Sequence, residues 1–306
     1  MGDVGLAVGE RLLRAAELAR RLAQPPVSGF RVGAAALGLS GRAYVGVNVE
    51  LPGQPLQQTI HAEHFCVGAA VANGGETGLA AVAVTAAPCG HCRQMLAELE
   101  GAETLVVFMR GADGRVLRLR LLGDLLPHAV SASLLGSTLA DFRRDTARTR
   151  LEARPDAALP RGCAAPLQEG MRALKSAQVA YSRARAACAI VTHDGQAYCG
   201  AALESVAFNP GVPPMQSAII QFARVRLNLA HEHLAALELR LAALAERDGE
   251  AGYDLFEDLA KHAMYVLLLE SASSVIRHKR TVLGIVEDLL PGAILHCVQV
   301  DVMPDQ

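Results

Sequence analysis

Two short segments carry side chains that could do chemistry together. T-I-H-A-E supplies His61 and Glu63, and A-P-C-G-H-C-R-Q supplies Cys89 and Cys92. One imidazole and two thiolates make three good zinc ligands, and the two thiolates balance the charge of the ion. Three protein ligands leave a fourth position open, which is the arrangement of a catalytic zinc rather than a structural one. If Cys89 opens a helix, the free amides of the first turn favour thiolate forms. Glu63 lies two residues from His61 and does not share its helix face. From a helix start, however, its carboxylate can reach a water at the open position, and a proton shuttle needs that geometry. Taken alone, C-x-x-C is equally a thioredoxin-like redox pair or half of a zinc knuckle. The usual redox surroundings are missing, and no second C-x-x-C completes a knuckle. With H-A-E ending 26 residues before Cys89, a catalytic zinc becomes the stronger reading.

These groups need elements to hold them. Apolar spacing predicts a first helix over 8–23, stopped by Pro25 and Pro26. V-G-A-A-A-L-G-L and A-Y-V-G-V-N-V read as two strands joined by a turn at Ser40-Gly41. A helix is expected over 63–72, a buried strand over 80–85, a helix over 93–99, a strand over 104–109 and an edge strand over 116–121. Alternating strands and helices predict an α/β layered domain with parallel pairing.

The pattern then repeats. Helix, Ser, strand, turn, A-Y-x-G, strand and Glu recur with an offset of about 154 residues, from Ala43-Tyr44 to Ala197-Tyr198. We read a duplicated domain: 1–145 catalytic, a linker over 146–166 rich in Pro, Arg and Asp, and a degenerate copy over 167–306. A helical insertion near 228–262 carries Leu234, Leu237, Leu241 and Leu244 on one face. That face is expected to pack on its own domain. Aligning P-M-Q-S-A-I with T-I-H-A-E places Gln216 opposite His61 and Ala218 opposite Glu63, so one zinc per chain is expected. Cys163, Cys188, Cys199 and Cys297 stand apart and are expected to be small buried apolar residues.

Composition excludes other classes. The chain has 306 residues, 51% of them apolar and 20% charged, which rules out disorder and leaves room for two cores. A net charge of −2 offers no basic surplus for nucleic acid. The apolar run Ala263 to Leu269 ends at Glu270, too short to span a bilayer, so no membrane partner is expected. The amphipathic, arginine-rich start contains Glu10 and Glu17, which transit peptides avoid, and a cytoplasmic location is expected.

H-x-E followed by P-C-x-x-C is the signature of zinc-dependent nucleobase deaminases. F-R-V-G-A-A (30–35), G-V-N-V-E (46–50), Q-Q-T-I-H-A-E and P-C-G-H-C-R-Q together resemble the cytidine deaminases that act on free nucleosides. A-F-N-P-G-V-P-P-M-Q-S-A-I (207–219) resembles the non-catalytic domain of their long, two-domain homodimeric form, found in enterobacteria and plants. The resemblance implies a three-layer α/β/α fold with a mixed sheet, duplicated in one chain, and one Zn2+ held by His61, Cys89 and Cys92. It implies that Glu63 takes a proton from the attacking water and passes it to N3 and then to the leaving amine of cytidine or deoxycytidine. Phe30 would flank the pyrimidine, although most phenylalanines simply fill cores. Asn48 and Glu50 would bind the ribose hydroxyls, and the amide of Ala62 the base carbonyl. Ala87, extended before Pro88, would accept from the departing amine, with Pro88 beside it. Ala207 and Phe208 would reach the partner subunit's site in trans. The rival readings are a polynucleotide deaminase, which needs a basic groove, and a non-catalytic nucleoside-binding homologue, which has no use for Glu63.

The chain departs from the family pattern in four places. Val27 stands where a tyrosine is usual, and Val130 and Ser131 replace part of an F-G-P segment, so an aromatic lid is missing there. His64 follows H-A-E where glutamine is usual.

Overall fold

The computed structural model describes residues 4–72, 74–130, 149–154, 159–231, 233–248 and 253–304. The expectations for Ser131 and for linker residues 146–148 and 155–158 lie outside these. Helix α1 (Leu6–Ala19) buries Leu12, Leu13, Ala15, Ala16 and Ala19 and runs into a 3₁₀ turn, Arg20–Leu22, before the two prolines. The hairpin β1 (Gly33–Gly38) and β2 (Ala43–Val47) turns at Gly41, whose φ of +88° favours glycine. Helix α2 (Ala62–Val67) continues as a π turn, Gly68–Ala72. Then come β3 (Leu79–Val84), α3 (Gly90–Ala97), β4 (Val106–Arg110) and β5 (Val116–Arg120).

The second copy contains β6 (Thr149–Ala153), α4 (Ala164–Ser176), the hairpin β7 (Ala186–Thr192) and β8 (Ala197–Ala201), and α5 (Pro214–Leu227). After a short β9 (Ala230–His231) come α6 (Leu234–Asp248), α7 (Leu255–His262), β10 (Ala263–Ser271), α8 (Lys279–Leu289) and β11 (Ile294–Pro304).

Both sheets are mixed. The first is ordered β5-β4-β3-β1-β2-β9 and the second β6-β11-β10-β7-β8. Among the strands of the described residues, β3/β4 and β10/β11 pair in parallel and the other pairs are antiparallel, which corrects the expectation of parallel pairing. The duplication shows in the register. Gly33 pairs with Val47 in the first hairpin, and Ala187 with Ala201 in the second. Helices cover both faces of a sheet. A Cβ on Gly33 would lie 2.0 Å from Ala16 O in α1, and one on Gly46 2.1 Å from Ala62 O in α2. Gly46 is opposite Ala34, one residue along from Gly33, so these two contacts point to opposite faces. The layers are therefore α/β/α.

Two expectations change. The stretch 146–166 contains β6, which joins the edge of the second sheet against β11, and α4 already starts at Ala164. In the first sheet that edge belongs to β5, which comes after β1 to β4 in the chain, whereas β6 comes before the other strands of its sheet. The leucine stripe of α6 packs on α1 of the first copy rather than on its own domain, with Leu237, Leu241 and Leu244 buried. An Arg11–Glu238 ion pair at 2.6 Å accompanies it. Among the described residues, no helix is long and apolar enough to cross a membrane.

Candidate active site

The helix starts of α2 and α3 bring the two motif segments together. His61 is the N-cap of α2 and Cys89 the N-cap of α3, both with extended backbone. Strands β2 and β3 both run antiparallel to β1, which lies between them, so α2 after β2 and α3 after β3 start at the same end of the sheet, where binding sites of open α/β sheets form. His61 Nδ1 lies 3.5 Å from Cys89 Sγ and 3.4 Å from Cys92 Sγ, and the sulfurs are 3.6 Å apart. Zinc bonded tetrahedrally at the usual Zn–S and Zn–N lengths separates such ligand atoms by about 3.5–3.8 Å. The triangle therefore fits zinc, and no other group of three or more His, Cys, Asp or Glu side chains among the described residues could hold a metal.

The electrostatics fit as well. Hydrogen bonds with Cys92 and then with His61 push the Cys89 thiol down to about 3. The same sulfur–sulfur bond, and then burial, push Cys92 well up. The bond with Cys89 raises His61 despite its burial. Bound to a zinc ion, both sulfurs would be thiolates, so Cys92 would give up its proton on loading. Glu63 is 4% exposed, and burial raises its pKa. A raised pKa makes this carboxyl a better proton acceptor than an exposed one, which suits a group that must take a proton and pass it on.

A cavity of about 360 Å³ opens in front of these groups. Phe30, Asn48, Glu50, Ala62 and Ala87 line it together with His61, Glu63 and Cys89. Phe30 is 61% exposed and stands at the rim, not in the core. Asn48 is stapled to the backbone: Nδ2 donates to Phe30 O at 2.8 Å, and Oδ1 accepts from Val32 N at 2.7 Å. Glu50 accepts from the amides of Val27 and Ser28 at 2.9 Å each and from the Ser28 hydroxyl at 2.5 Å. These bonds hold its pKa below the usual value although burial alone would raise it. Pro88 does not line the cavity, and its carbonyl accepts from Arg93 Nε at 2.8 Å. That bond ties the cysteine loop to α3.

The family model for the cytidine and deoxycytidylate deaminase zinc-binding region matches residues 7–109, and a second model of the same description matches 122–250. A cytidine deaminase of Cronobacter sakazakii is 38% identical over 232 residues, 76% of this chain and 71% of the relative. One from Yersinia pestis is 36% identical over 75% of this chain and 70% of its own. The chain belongs to the cytidine and deoxycytidylate deaminase family. A solved cytidine deaminase from Burkholderia pseudomallei is 37% identical and aligns over 40% of this chain and 98% of its own, with a TM-score of 0.36.

Within this deaminase the second copy repeats the frame and not the ligands. Gln24 N donates to Asn48 O and Glu50 N to Gln24 O; 154 residues later Gln178 N donates to Ala202 O and Glu204 N to Gln178 O. Val49 bridges Ile60 as Leu203 bridges Val212. Pro213 is the N-cap of α5 as His61 is of α2. Pro213 therefore stands in place of His61 and Met215 in place of Glu63, which corrects the alignment on Gln216 and Ala218. Gln216 instead lies one turn further on, where its Nε2 donates to Gln58 O at 2.9 Å in the first copy. No cysteine follows β10 before α8. Cys163 and Cys188 are buried, and Cys199 and Cys297 half-buried.

Neither Ala207 nor Phe208 lines the first cavity of its own chain. Phe208 is 73% exposed on the rim of a second cavity, in a left-handed conformation with φ of +63°. Val130 is also outside the first cavity; the Gln94 amide bonds both its carbonyl, at 2.8 Å, and its N–H, at 3.3 Å. Sequence reasoning missed Ser28, Val32, Leu56, Thr59 and Ala86, which complete the lining. The Ser28–Glu50 pair, repeated as Ser182–Glu204, was the available signal.

Proposed function

We propose that this chain hydrolyses cytidine and deoxycytidine to uridine and deoxyuridine with release of ammonia, acting on the C4–N bond of a cyclic amidine. The observation that carries the reading is the His61–Cys89–Cys92 triangle facing a nucleoside-sized cavity with buried Glu63 at its edge. Zinc held by those three residues supplies a Lewis acid that makes water nucleophilic near neutral pH. Glu63 takes a proton from the attacking water and delivers it to N3 as oxygen bonds to C4. It then carries the second proton to the amino group, the C4–N bond breaks, ammonia leaves, and the C4 carbonyl forms. Burial of Glu63 supports this role because it raises the carboxyl's pKa and so strengthens its hold on the proton taken from water.

Phe30 covers one face of the pyrimidine at the rim, and the Ala62 amide at the start of α2 donates to the base carbonyl. Ala87 offers its carbonyl to the leaving amine. Asn48 and Glu50 take the ribose hydroxyls; Glu50 remains a carboxylate because its pKa is held low, so it accepts rather than donates. The chain acts as a homodimer, with Ala207 and Phe208 covering the partner subunit's substrate. Phe208's exposure and its absence from the lining of its own first cavity support that placement.

The test is a direct ultraviolet assay of zinc-loaded protein with cytidine and deoxycytidine. Loss of the amino-pyrimidine absorbance with equimolar ammonia is expected. Turnover of single-stranded oligonucleotides without turnover of nucleosides, or no turnover at all, would overturn the reading.

A further inference from the structure

The second copy retains a cavity after losing its catalytic groups. About 300 Å³ opens beside the end of β8, with apolar walls that include Leu203 and Val212. Glu204 stands in it as Glu50 stands in the first cavity. It accepts from the amides of Tyr181 and Ser182 at 3.1 Å each and from the Ser182 hydroxyl. Two other polar groups of the lining are already engaged: the Tyr181 and Ser205 hydroxyls both donate to Glu98, at 2.7 and 3.0 Å. His278 is not. Its backbone N–H donates to Glu270 at 2.6 Å, and its ring has no hydrogen-bond partner among the described residues. Burial lowers its pKa, so near pH 7 the ring is neutral, with one donor and one acceptor.

A carboxylate with spare lone pairs, a neutral imidazole and apolar walls together select a ligand. Vicinal hydroxyls match the carboxylate, and an uncharged ring carrying both donor and acceptor edges matches the imidazole and the walls. A phosphate is disfavoured, because it would face Glu204 with like charge. The lining lacks the zinc ligands of the first site: Pro213 stands in place of His61, and no cysteine lines the cavity.

We propose that this second cavity binds a neutral ribonucleoside, substrate or product of the first site, without transforming it. The proposal rests on reading the first cavity as a nucleoside site, since the Glu204 cradle is its repeat. Binding stoichiometry separates the two claims. Uridine would be titrated calorimetrically into zinc-loaded wild type, Glu50→Gln, Glu204→Gln and His278→Leu. Cytidine would be titrated into Glu63→Gln, which leaves it unconverted.

Two nucleosides per chain are expected in wild type. Glu204→Gln and His278→Leu should each retain one and deaminate cytidine with kcat/KM within about threefold of wild type. His278→Leu leaves the Tyr181–Ser182 turn untouched, so it remains informative if Glu204→Gln misfolds. Uridine 5′-monophosphate should fail to compete at the second site. One uridine per chain, lost in Glu50→Gln and kept in Glu204→Gln and His278→Leu, overturns the proposal alone. One uridine that persists in Glu50→Gln and vanishes in Glu204→Gln upholds the second site and overturns the reading of the first. No binding to any form overturns both. Two cytidines on Glu63→Gln with a single uridine on wild type would make the substrate the occupant.

Discussion

Alanine at Gly46 should damage both fold and chemistry, and alanine at Gly200 the fold alone. At Gly46 a Cβ would lie 2.1 Å from Ala62 O and 2.8 Å from Cys66 N. At Gly200 it would lie 2.1 Å from Ala218 N and 2.2 Å from Ser217 C. All four are backbone atoms that cannot rotate away. Ordinary contact begins at 3.4 Å, so strand and helix must separate by about 1.3 Å in each copy. Overpacking of this kind costs roughly 1–3 kcal/mol, and both variants should lose stability in that range. The helices differ in what they carry. α2 starts between His61 and Glu63, and a misplacement near 1 Å lowers turnover on the order of 10²-fold. α5 starts at Pro213 and Pro214 and carries no reacting group, so Gly200→Ala should keep kcat/KM within about fivefold. The assay pairs thermal unfolding with zinc content and cytidine turnover, measured well below both midpoints. Equal losses of kcat/KM in the two variants, or full stability in either, would refute the reasoning.

Metal analysis should find one zinc per chain in both wild type and Glu63→Ala, while the variant's kcat falls by about 10²–10⁴. A value near two per chain refutes the reading of Pro213 and Met215, and turnover within tenfold of wild type refutes the shuttle. Glu50 has a folded pKa below 4.5, so its contribution to stability is complete above pH 4.5 and disappears as the pH falls through the lower folded value. The melting-temperature gap between wild type and Glu50→Gln should therefore be constant near neutrality and close in acid; a gap that ignores pH down to about 3 contradicts this. A dimer of one Phe208→Ala chain and one Glu63→Ala chain puts both defects in one site if Phe208 acts in trans. About half the wild-type activity per dimer is then expected, and no recovery would place Phe208 on its own chain's pocket.

The zinc triangle was legible because its information is local. Each segment places its ligand at a helix N-cap, and residue types with spacing suffice for that. The hairpins were legible from alternation and from the turn at Gly41. Other features depend on tertiary context. T-R-L-E-A is a short alternating stretch among charges, and only the open edge of β11 makes β6 a strand. The leucines of α6 define a face, but nothing in them names α1 as the surface it covers. The slip on Gln216 had an avoidable cause. Proline at a first helical position marks a helix start, and Pro214 marked it two residues before the aligned site. Following that signal would have set Pro213, not Gln216, opposite His61.

The duplication also works as an internal control on what each site residue is for. Arg31 donates to the carbonyls of Arg21 and Ala23, and Arg185 to those of Lys175 and Ala177, at matched positions. Ser28 with Glu50 and Ser182 with Glu204 close the same turn. These groups persist in both copies, so the fold uses them in both. Asn48 also looks structural, since its amide staples Phe30 and Val32. Its counterpart is Ala202, which makes no such staple, yet β7 and β8 pair there with the register of β1 and β2. The frame therefore forms without an asparagine at that position. What distinguishes Asn48 from Ala202 is the cavity each faces: one beside a zinc triangle, the other beside Pro213. The amide follows the zinc triangle, as His61 and Glu63 do, and its bonds to Phe30 and Val32 fix its orientation at the cavity wall.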